Sequence, residues 1–562
     1  QNGLTSEDEM VQLDALINLA DELCVMTEET ANGFKLDNFI PSLVTMLNAI
    51  DNPNMVLLSC RCMSHILEAL PGSENAFIRH DAVPGLVEKL LNIEYDDLRD
   101  QAMNVLSRLC ANPISASNVL KNGGLCAILA NLDFSAINTQ VTAVNCAANM
   151  LRQIPSDCWP QIRDALPTLS MLLQYEDPRL VDRSTMSLAS ICTHYIGDAS
   201  KLEEVVSSGA LQNLIRLITE RIERNAETTN LTWMVIRCLA TLCRGLPNTT
   251  ETLVSTGIPS ILKNMLLLER ENATKGIRQS AKTNTQAVYD MVALADQLLP
   301  PLPTEISVYL KSTPSPMMPS FGGGRRGGLY ASSSNSNSAN ASMNEIDLMS
   351  SGSIPIPSDT SAPDARTLLY QRQPNTLLQV SEALLGTMTL IFGSRVNPQL
   401  RAKCLSTIAK IIHSCSPAML ATLLKDLTFS SFVASLLASK DLKFIAVALC
   451  IAEILMTKLP DIFSSYFTRE GVVHEVEQLI ASGAHFNASN LARNNSTPTT
   501  PSQAAPSSVS GTPGEPSLLP LTPTSTSFMW EALASPPNPS VMKARFGSKD
   551  TASAKSASPS AA

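Results

Sequence analysis

Two short strings in this chain combine residue types that bind metals or act as nucleophiles. The first, CRCMSH, sets Cys60, Cys62 and His65 close together. On a helix Cys62 and His65 share a face while Cys60 points elsewhere. Zinc wants four ligands, usually supplied as paired motifs, and no second pair accompanies this one. Cys192 and His194, in CTH, fare no better. Both strings are read as core cysteines beside helix histidines, so no metal ligand, cofactor-binding residue or catalytic residue is assigned. The glycine-rich GGGRRGG (322–328) lacks the Lys-Ser/Thr ending of a phosphate loop and lies between polar tracts, not between a strand and a helix. Arg325 and Arg326 within it are read as part of a solvated linker. Thr313, Ser315, Thr497, Thr500, Thr512, Thr522, Ser535 and Ser558 each precede a proline. Such pairs suit proline-directed kinases, though any Ser/Thr/Pro-rich tract also contains them by chance.

The elements that would position any site are revealed by a repeat. An apolar string recurs as IPSLVTML (40–47), VPGLVEKL (83–90), LCAILANL (125–132), LPTLSMLL (166–173), LQNLIRLI (211–218) and IPSILKNM (258–265). Apolar residues three and seven positions after the first, such as Ile40, Leu43 and Leu47, form one face of a helix. Successive starts at 40, 83, 125, 166, 211 and 258 fall in the period of armadillo and HEAT repeats. A second, longer helical stretch precedes the marked strings, at 55–70, 98–111, 139–154, 180–196 and 231–246. Pro and Gly break the units at Leu70-Pro71-Gly72, Asn112-Pro113, Ile154-Pro155, Ile196-Gly197 and Leu246-Pro247. A short helix before the apolar string makes three helices per unit, which favours armadillo over HEAT. Small residues at Ser64, Ala148, Ala189 and Ala240 are expected to let the long helices approach closely.

The expected fold is all-α, an armadillo/HEAT-like superhelical solenoid interrupted by a disordered insert. Helical repeats occupy 1–302 and 371–486. Between them, 303–370 is rich in Ser, Gly, Pro and Asn, and 487–562 is rich in Ser, Thr and Pro; neither composition can bury a core, so disorder is expected in both. If the repeated string lines the groove of the array, its sixth position places Arg216 and Lys263 along one groove wall as contacts. Armadillo proteins that carry nuclear-import cargo read basic peptides with a Trp and Asn ladder, and the repeated string has none.

Composition narrows the partners. Net charge is −10, against a broad phosphate-binding surface, so nucleic acid is not an expected partner. The longest apolar run, FIAVALCIA (444–452), closes at Glu453, well short of the roughly 20 residues of a membrane span, and no membrane partner is expected. The thirteen cysteines are scattered singly through helical segments, as befits small core residues in a reducing compartment. The chain opens QNGLTSEDEM without an initiator Met, the pattern of a segment from a longer polypeptide. The expected location is cytoplasmic, nuclear or both.

KDLKFIAVALCIAEILMTKLPDIFSSYFTREGVVHEVEQLI (440–480), with EETANGFKLDNFIPSLVTML (28–47) and NGGLCAILANLDFSAINTQ (122–140), resembles one family. It is the HECT-type E3 ubiquitin ligases of the thyroid-hormone-receptor-interactor and ubiquitin-fusion-degradation class, including plant KAKTUS-like members. The resemblance runs over 13–268 and 377–480. It implies an armadillo region N-terminal to a catalytic HECT domain, ubiquitin transfer to substrates, and partners that are substrate proteins or degrons, ubiquitin or ubiquitinated proteins. The chain departs from the family pattern by ending before a HECT domain. Its last cysteine, Cys450, sits in an apolar helix, where a thiol has a raised pKa and is expected to be inert. The expected function is substrate and ubiquitin recognition for such a ligase. The alternative is a non-enzymatic armadillo scaffold or transport adaptor.

Overall fold

The computed structural model describes residues 2–310 and 364–481, apart from short stretches at 28, 30–34, 50–51, 92–94, 131, 224–229, 275–280 and 396. Residues 311–363 and 482–562, where most of the expected insert and the whole expected tail fall, lie outside the described residues, as do the eight Ser/Thr-Pro pairs named above and GGGRRGG. Regular structure among the described residues is helical, with no strand.

The helices recur in threes. After α1 (Glu9–Cys24), α2 (Leu36–Ala49) and α3 (Pro53–Ala69) form a second and a third helix. A full repeat follows as α4 (Glu74–Arg79), α5 (Ala82–Leu91) and α6 (Asp96–Leu109). The next is α7 (Pro113–Lys121), α8 (Gly124–Ala130) and α9 (Ile137–Met150). In the fourth unit a turn replaces the short helix before α10 (Trp159–Leu172) and α11 (Pro178–His194). Then come α12 (Ala199–Ser207), α13 (Ala210–Glu223) and α14 (Asn230–Gly245), and after them α15 (Thr249–Ser255), α16 (Ile258–Thr274) and α17 (Ala281–Gln297). The short α18 (Thr304–Leu310) precedes residues 311–363, and α19 (Ala365–Arg372), α20 (Pro374–Ser394), α21 (Pro398–Ser414) and α22 (Pro417–Leu423) follow them.

Local sequence sets these boundaries. Asn52, Asn112, Asp177 and Asn397 each accept from the backbone N–H two residues on, with Pro53, Pro113, Pro178 and Pro398 as the first helical residue. The side chain takes an orphan N–H, and the proline supplies a fixed φ where its missing N–H costs nothing. The breakers read from sequence at Asn112-Pro113 therefore start helices as much as they end them. The corner between first and second helix is left-handed at Gly123, Gly209 and Gly257, with φ of 82°, 86° and 79°. At the equivalent corner of the second repeat Asp81 takes φ 52° instead.

The described residues fall into two compact units, one up to Leu427 and the other from Thr428 onward. In the first, third helices pack directly on one another, α3 on α6, α6 on α9, α9 on α11, α11 on α14 and α14 on α17, while second helices meet over shorter stretches. The tighter layer is the inside of a bend, so the third helices form the inner layer of this unit. The stack runs on across residues 311–363: α16 packs on α20, and α17 on α21. Polar side chains lock that junction. Asp296, 2% exposed, receives Lys403 Nζ at 2.7 Å, Lys410 Nζ at 3.2 Å and Ser406 Oγ at 2.7 Å. Arg366 donates to the Cys243 carbonyl at 2.6 Å and the Tyr370 hydroxyl to that of Leu298 at 2.8 Å. α20 is the one helix among the described residues long and apolar enough to cross a membrane, and it buries Leu377, Val380, Leu384, Leu385, Met388 and Ile391 against these neighbours.

In the second unit, α23 (Phe429–Leu437), α24 (Leu442–Lys458) and α25 (Pro460–Arg469) close around Val433, Val447, Ile451, Leu455, Phe463 and Phe467. The Phe463 and Phe467 rings lie 5.1 Å apart. Gly471, at φ 82°, then turns the chain into a helical stretch at 472–481.

Candidate protein-binding face

Burial gives the third helices a common register. In α3 exposed Arg61 falls between the buried pairs Ser59–Cys60 and Cys62–Met63. Asn104 in α6, Asn145 in α9, Met186 in α11, Arg237 in α14 and Tyr289 in α17 fall between equivalent pairs. One turn later the same face carries His65, Arg108, Asn149, Ser190, Thr241 and Ala293. Several of these side chains are committed to the fold. Arg108 donates through Nε to Ser64 Oγ at 3.1 Å and pairs with Glu68 at 2.9 Å, tying α6 to α3. Arg237 pairs with Asp290, 3% exposed, at 3.0 Å, tying α14 to α17. Burial alone raises the Asp290 carboxyl, and Arg237 acts against that rise. Among the described residues the side chains of Asn104, Asn145 and Asn149 have no hydrogen-bond partner, and Trp233, one turn before Arg237, is half-exposed.

The sequence placed the groove on the repeated second helices. Those helices form the layer behind, and much of their small-residue line is structural. Gly85 lies against Asn48, and Asn213 donates to the Ser170 carbonyl at 2.9 Å while accepting from Gln174 at 3.0 Å. Arg216, on α13, is 45% exposed and pairs with Glu220 at 3.6 Å. Lys263, on α16, is exposed. Both therefore sit on the second-helix layer, apart from the register just described. Asn104 and Asn145 had a sequence signal of their own: 41 residues apart, each is a polar residue flanked on both sides by pairs of non-ionised, mostly apolar ones.

The cysteines sit where packing, not reaction, uses them. Cys60 and Cys62 are fully buried, and burial pushes both thiols up to about 12. His65, on the same helix, is half-exposed. Cys192 packs 3.9 Å from Cys238 between α11 and α14, whereas His194 is exposed beside the Tyr195 ring. Cys450 is half-buried rather than enclosed; burial first, and Glu453 second, raise its thiol. All thirteen cysteines are free. Among the described residues no three His, Cys, Asp or Glu side chains gather into a metal-binding group.

Comparison with known proteins agrees on one lineage. Residues 3–116 match a family described as E3 ubiquitin-protein ligase TRIP12-like, TPR repeats. The helices here nevertheless come in threes at a period above 40, where a TPR repeat is a 34-residue helix pair. The chain is 34% identical over 498 residues to the E3 ubiquitin-protein ligase UPL3 of Arabidopsis thaliana, covering 88% of this chain and 25% of that protein. It is 28% identical over 495 residues to the E3 ubiquitin-protein ligase TRIP12 of Danio rerio, covering 84% and 24%. It thus spans about a quarter of the length of these relatives. A shorter likeness, 26% over 220 residues, covers 38% of this chain and 41% of importin subunit alpha-1a of Oryza sativa subsp. japonica.

Proposed function

Over most of its length this chain is related to the N-terminal region of TRIP12- and UPL-type HECT ubiquitin ligases, and from that premise we propose that it is a protein-recognition region for ubiquitin transfer. Its partners in this reading are substrate proteins or degrons, and ubiquitin already attached to them. The likeness to UPL3 across 88% of the chain carries the proposal. A stacked array supports it physically, because neighbouring repeats offer one continuous surface instead of a single pocket. Transfer through a HECT domain would pass through a thioester on a cysteine thiolate. The thiols of this chain that burial raises are unsuited to that step, so in this reading the chemistry belongs to another region of the ligase.

The test is affinity for a ubiquitin-fused protein against the same protein without ubiquitin, with the 562-residue chain immobilised. Tighter binding of the fusion supports the reading, and binding of neither sinks it. Arg216 and Lys263 enter the same assay as a pair. We expect reversal of both to Glu to weaken an acidic partner while leaving the melting temperature nearly unchanged, since exposed charges contribute little to stability. Unchanged binding removes these two residues from the contact surface. The importin likeness favours a second reading, a non-enzymatic adaptor. Saturable binding of a basic cargo peptide with no response to ubiquitin would select it.

A further inference from the structure

We propose that one edge of the first unit, built from the corners between second and third helices, docks a cationic amphipathic helix of a partner protein. The corners lie between α5 and α6, α8 and α9, and α10 and α11, in three consecutive repeats. They carry Leu91 and Tyr95, Ile137, and Met171, each between 42% and 51% exposed. Packing does not account for these four, because α5, α6, α9 and α10 bury other faces. A single exposed apolar residue is ordinary, but four along one edge of three repeats form a patch. The opposite corners of the same repeats, between third and first helices, carry only Ile114 as an exposed large apolar residue among the described residues. The corners are also neighbours in space. The Tyr175 hydroxyl donates to Asp133 Oδ1 at 2.6 Å, joining the α10–α11 corner to the α8–α9 corner, and α5 packs on α8. This edge uses neither the register of the inner layer nor Arg216 and Lys263, and its partner chemistry goes beyond ubiquitin recognition.

Charge selects the occupant. The cations at these corners are already taken: Lys89 pairs with Glu88 at 3.4 Å, Arg99 with Asp96 at 2.8 Å and Arg179 with Asp177 at 2.8 Å. Asp97, Asp133 and Glu176 are exposed, and no cation among the described residues pairs with them. Asp97 also complements the N-terminus of α6, whereas Asp133 and Glu176 precede α9 and α11 and gain less from a helix dipole. At the opposite corners Arg79, Lys121 and Arg152 balance Glu74, Asp81 and Asp157. Uncompensated carboxylates beside apolar side chains complement an apolar stripe bordered by Lys or Arg, and they repel an acidic protein or an anionic membrane.

Spacing selects the form. Neighbouring repeats stack about 8–10 Å apart, and two turns of helix rise about 10.5 Å. A helix laid along the edge therefore returns an apolar side chain to each corner every seven positions or so. A strand covers the same step in about three residues, an odd number that turns every second anchor away from the edge.

The probe is a fluorescent peptide of about 18 residues, roughly 27 Å as a helix, made of leucine and lysine in one amphipathic pattern. Binding to the whole chain is read by fluorescence anisotropy. One companion peptide replaces every lysine with glutamate, and another scrambles the order to destroy the stripe. We expect saturable binding of the first peptide alone. Leu91→Ser/Met171→Ser should weaken it at least about tenfold, and Ile114→Ser at the opposite corner should leave it unchanged. Helical CD and melting temperature should be the same in both variants, because these side chains are exposed. Asp97→Asn/Glu176→Gln should weaken binding at low salt and flatten its salt dependence. Equal binding of the scrambled peptide, equal binding by wild type and Leu91→Ser/Met171→Ser, or no binding by the wild type overturns the proposal. Loss of binding in Trp233→Ala without loss in the edge variant would put the helix on the inner layer and overturn it as well.

Discussion

Asp296 shows how one residue can hold an array together. Enclosure raises the cost of its charge, and Lys403 and Lys410 outweigh that cost, holding the carboxyl well below the ordinary carboxylate range. Asp296→Asn would leave buried Lys410 without its counter-charge, and we expect a loss of about 3–5 kcal/mol at neutral pH. The pH dependence has a fixed sign. A carboxyl whose folded pKa is depressed contributes stability that is full above its unfolded value, near 4, and disappears as pH falls toward the folded one. The stability gap between wild type and variant should therefore be flat from pH 5 to 8 and shrink below about pH 4. A gap that widens in acid would refute the assignment. Asp81 offers the opposite case, a residue that costs stability. Its φ of 52° is the left-handed region, where side chains other than glycine are disfavoured. Asp81→Gly should stabilise by up to about 1 kcal/mol, and Gly209→Ala, which meets open space but keeps φ 86°, should destabilise by about 1–2 kcal/mol. Thermal melts of the two variants, moving in opposite directions, check the pair.

At the scale of elements, the long helices depend on small residues, though unequally. Ala148 is 1% exposed, whereas Ala189 and Ala240 are half-exposed and Ser64 is held by its bond to Arg108. Ala148→Leu should cost about 1–3 kcal/mol by forcing neighbouring helices apart, while Ala189→Leu should be nearly neutral. Equal effects in denaturant titrations would mean that the register drawn from burial is misplaced. Helix existence and order were legible in the sequence because the apolar period and the Asn-Pro and Asp-Pro starts, such as Asn112-Pro113 and Asp177-Pro178, are local signals. Which helix lines the inner layer was not, because that depends on the distance between layers, which no single helix encodes. The repeated string drew attention to Arg216 and Lys263 for being regular. The third-helix positions vary from Arg61 to Asn104 to Met186, and that variation, in an otherwise apolar register, was the mark of a face not fixed by packing.

For the whole molecule, the relation to ubiquitin ligases was readable in residues 440–480 together with the opening repeats, since the pattern at 452–472 is specific where the repeats are not. If recognition and chemistry are divided as proposed, this chain mixed with a ubiquitin-charged conjugating enzyme should yield no reducible ubiquitin adduct. An adduct that vanishes in Cys450→Ala would overturn that division; the substitution itself should cost only on the order of 1 kcal/mol. One further consequence follows from α17 packing on α21 and α16 on α20 across residues 311–363. Covalent continuity between Leu310 and Asp364 is not what aligns the repeats on either side; buried side chains do that. The position is thus a natural port for cargo. A fluorescent domain spliced there would ride on the array as a passenger, reporting its location while the stacked helices kept their register.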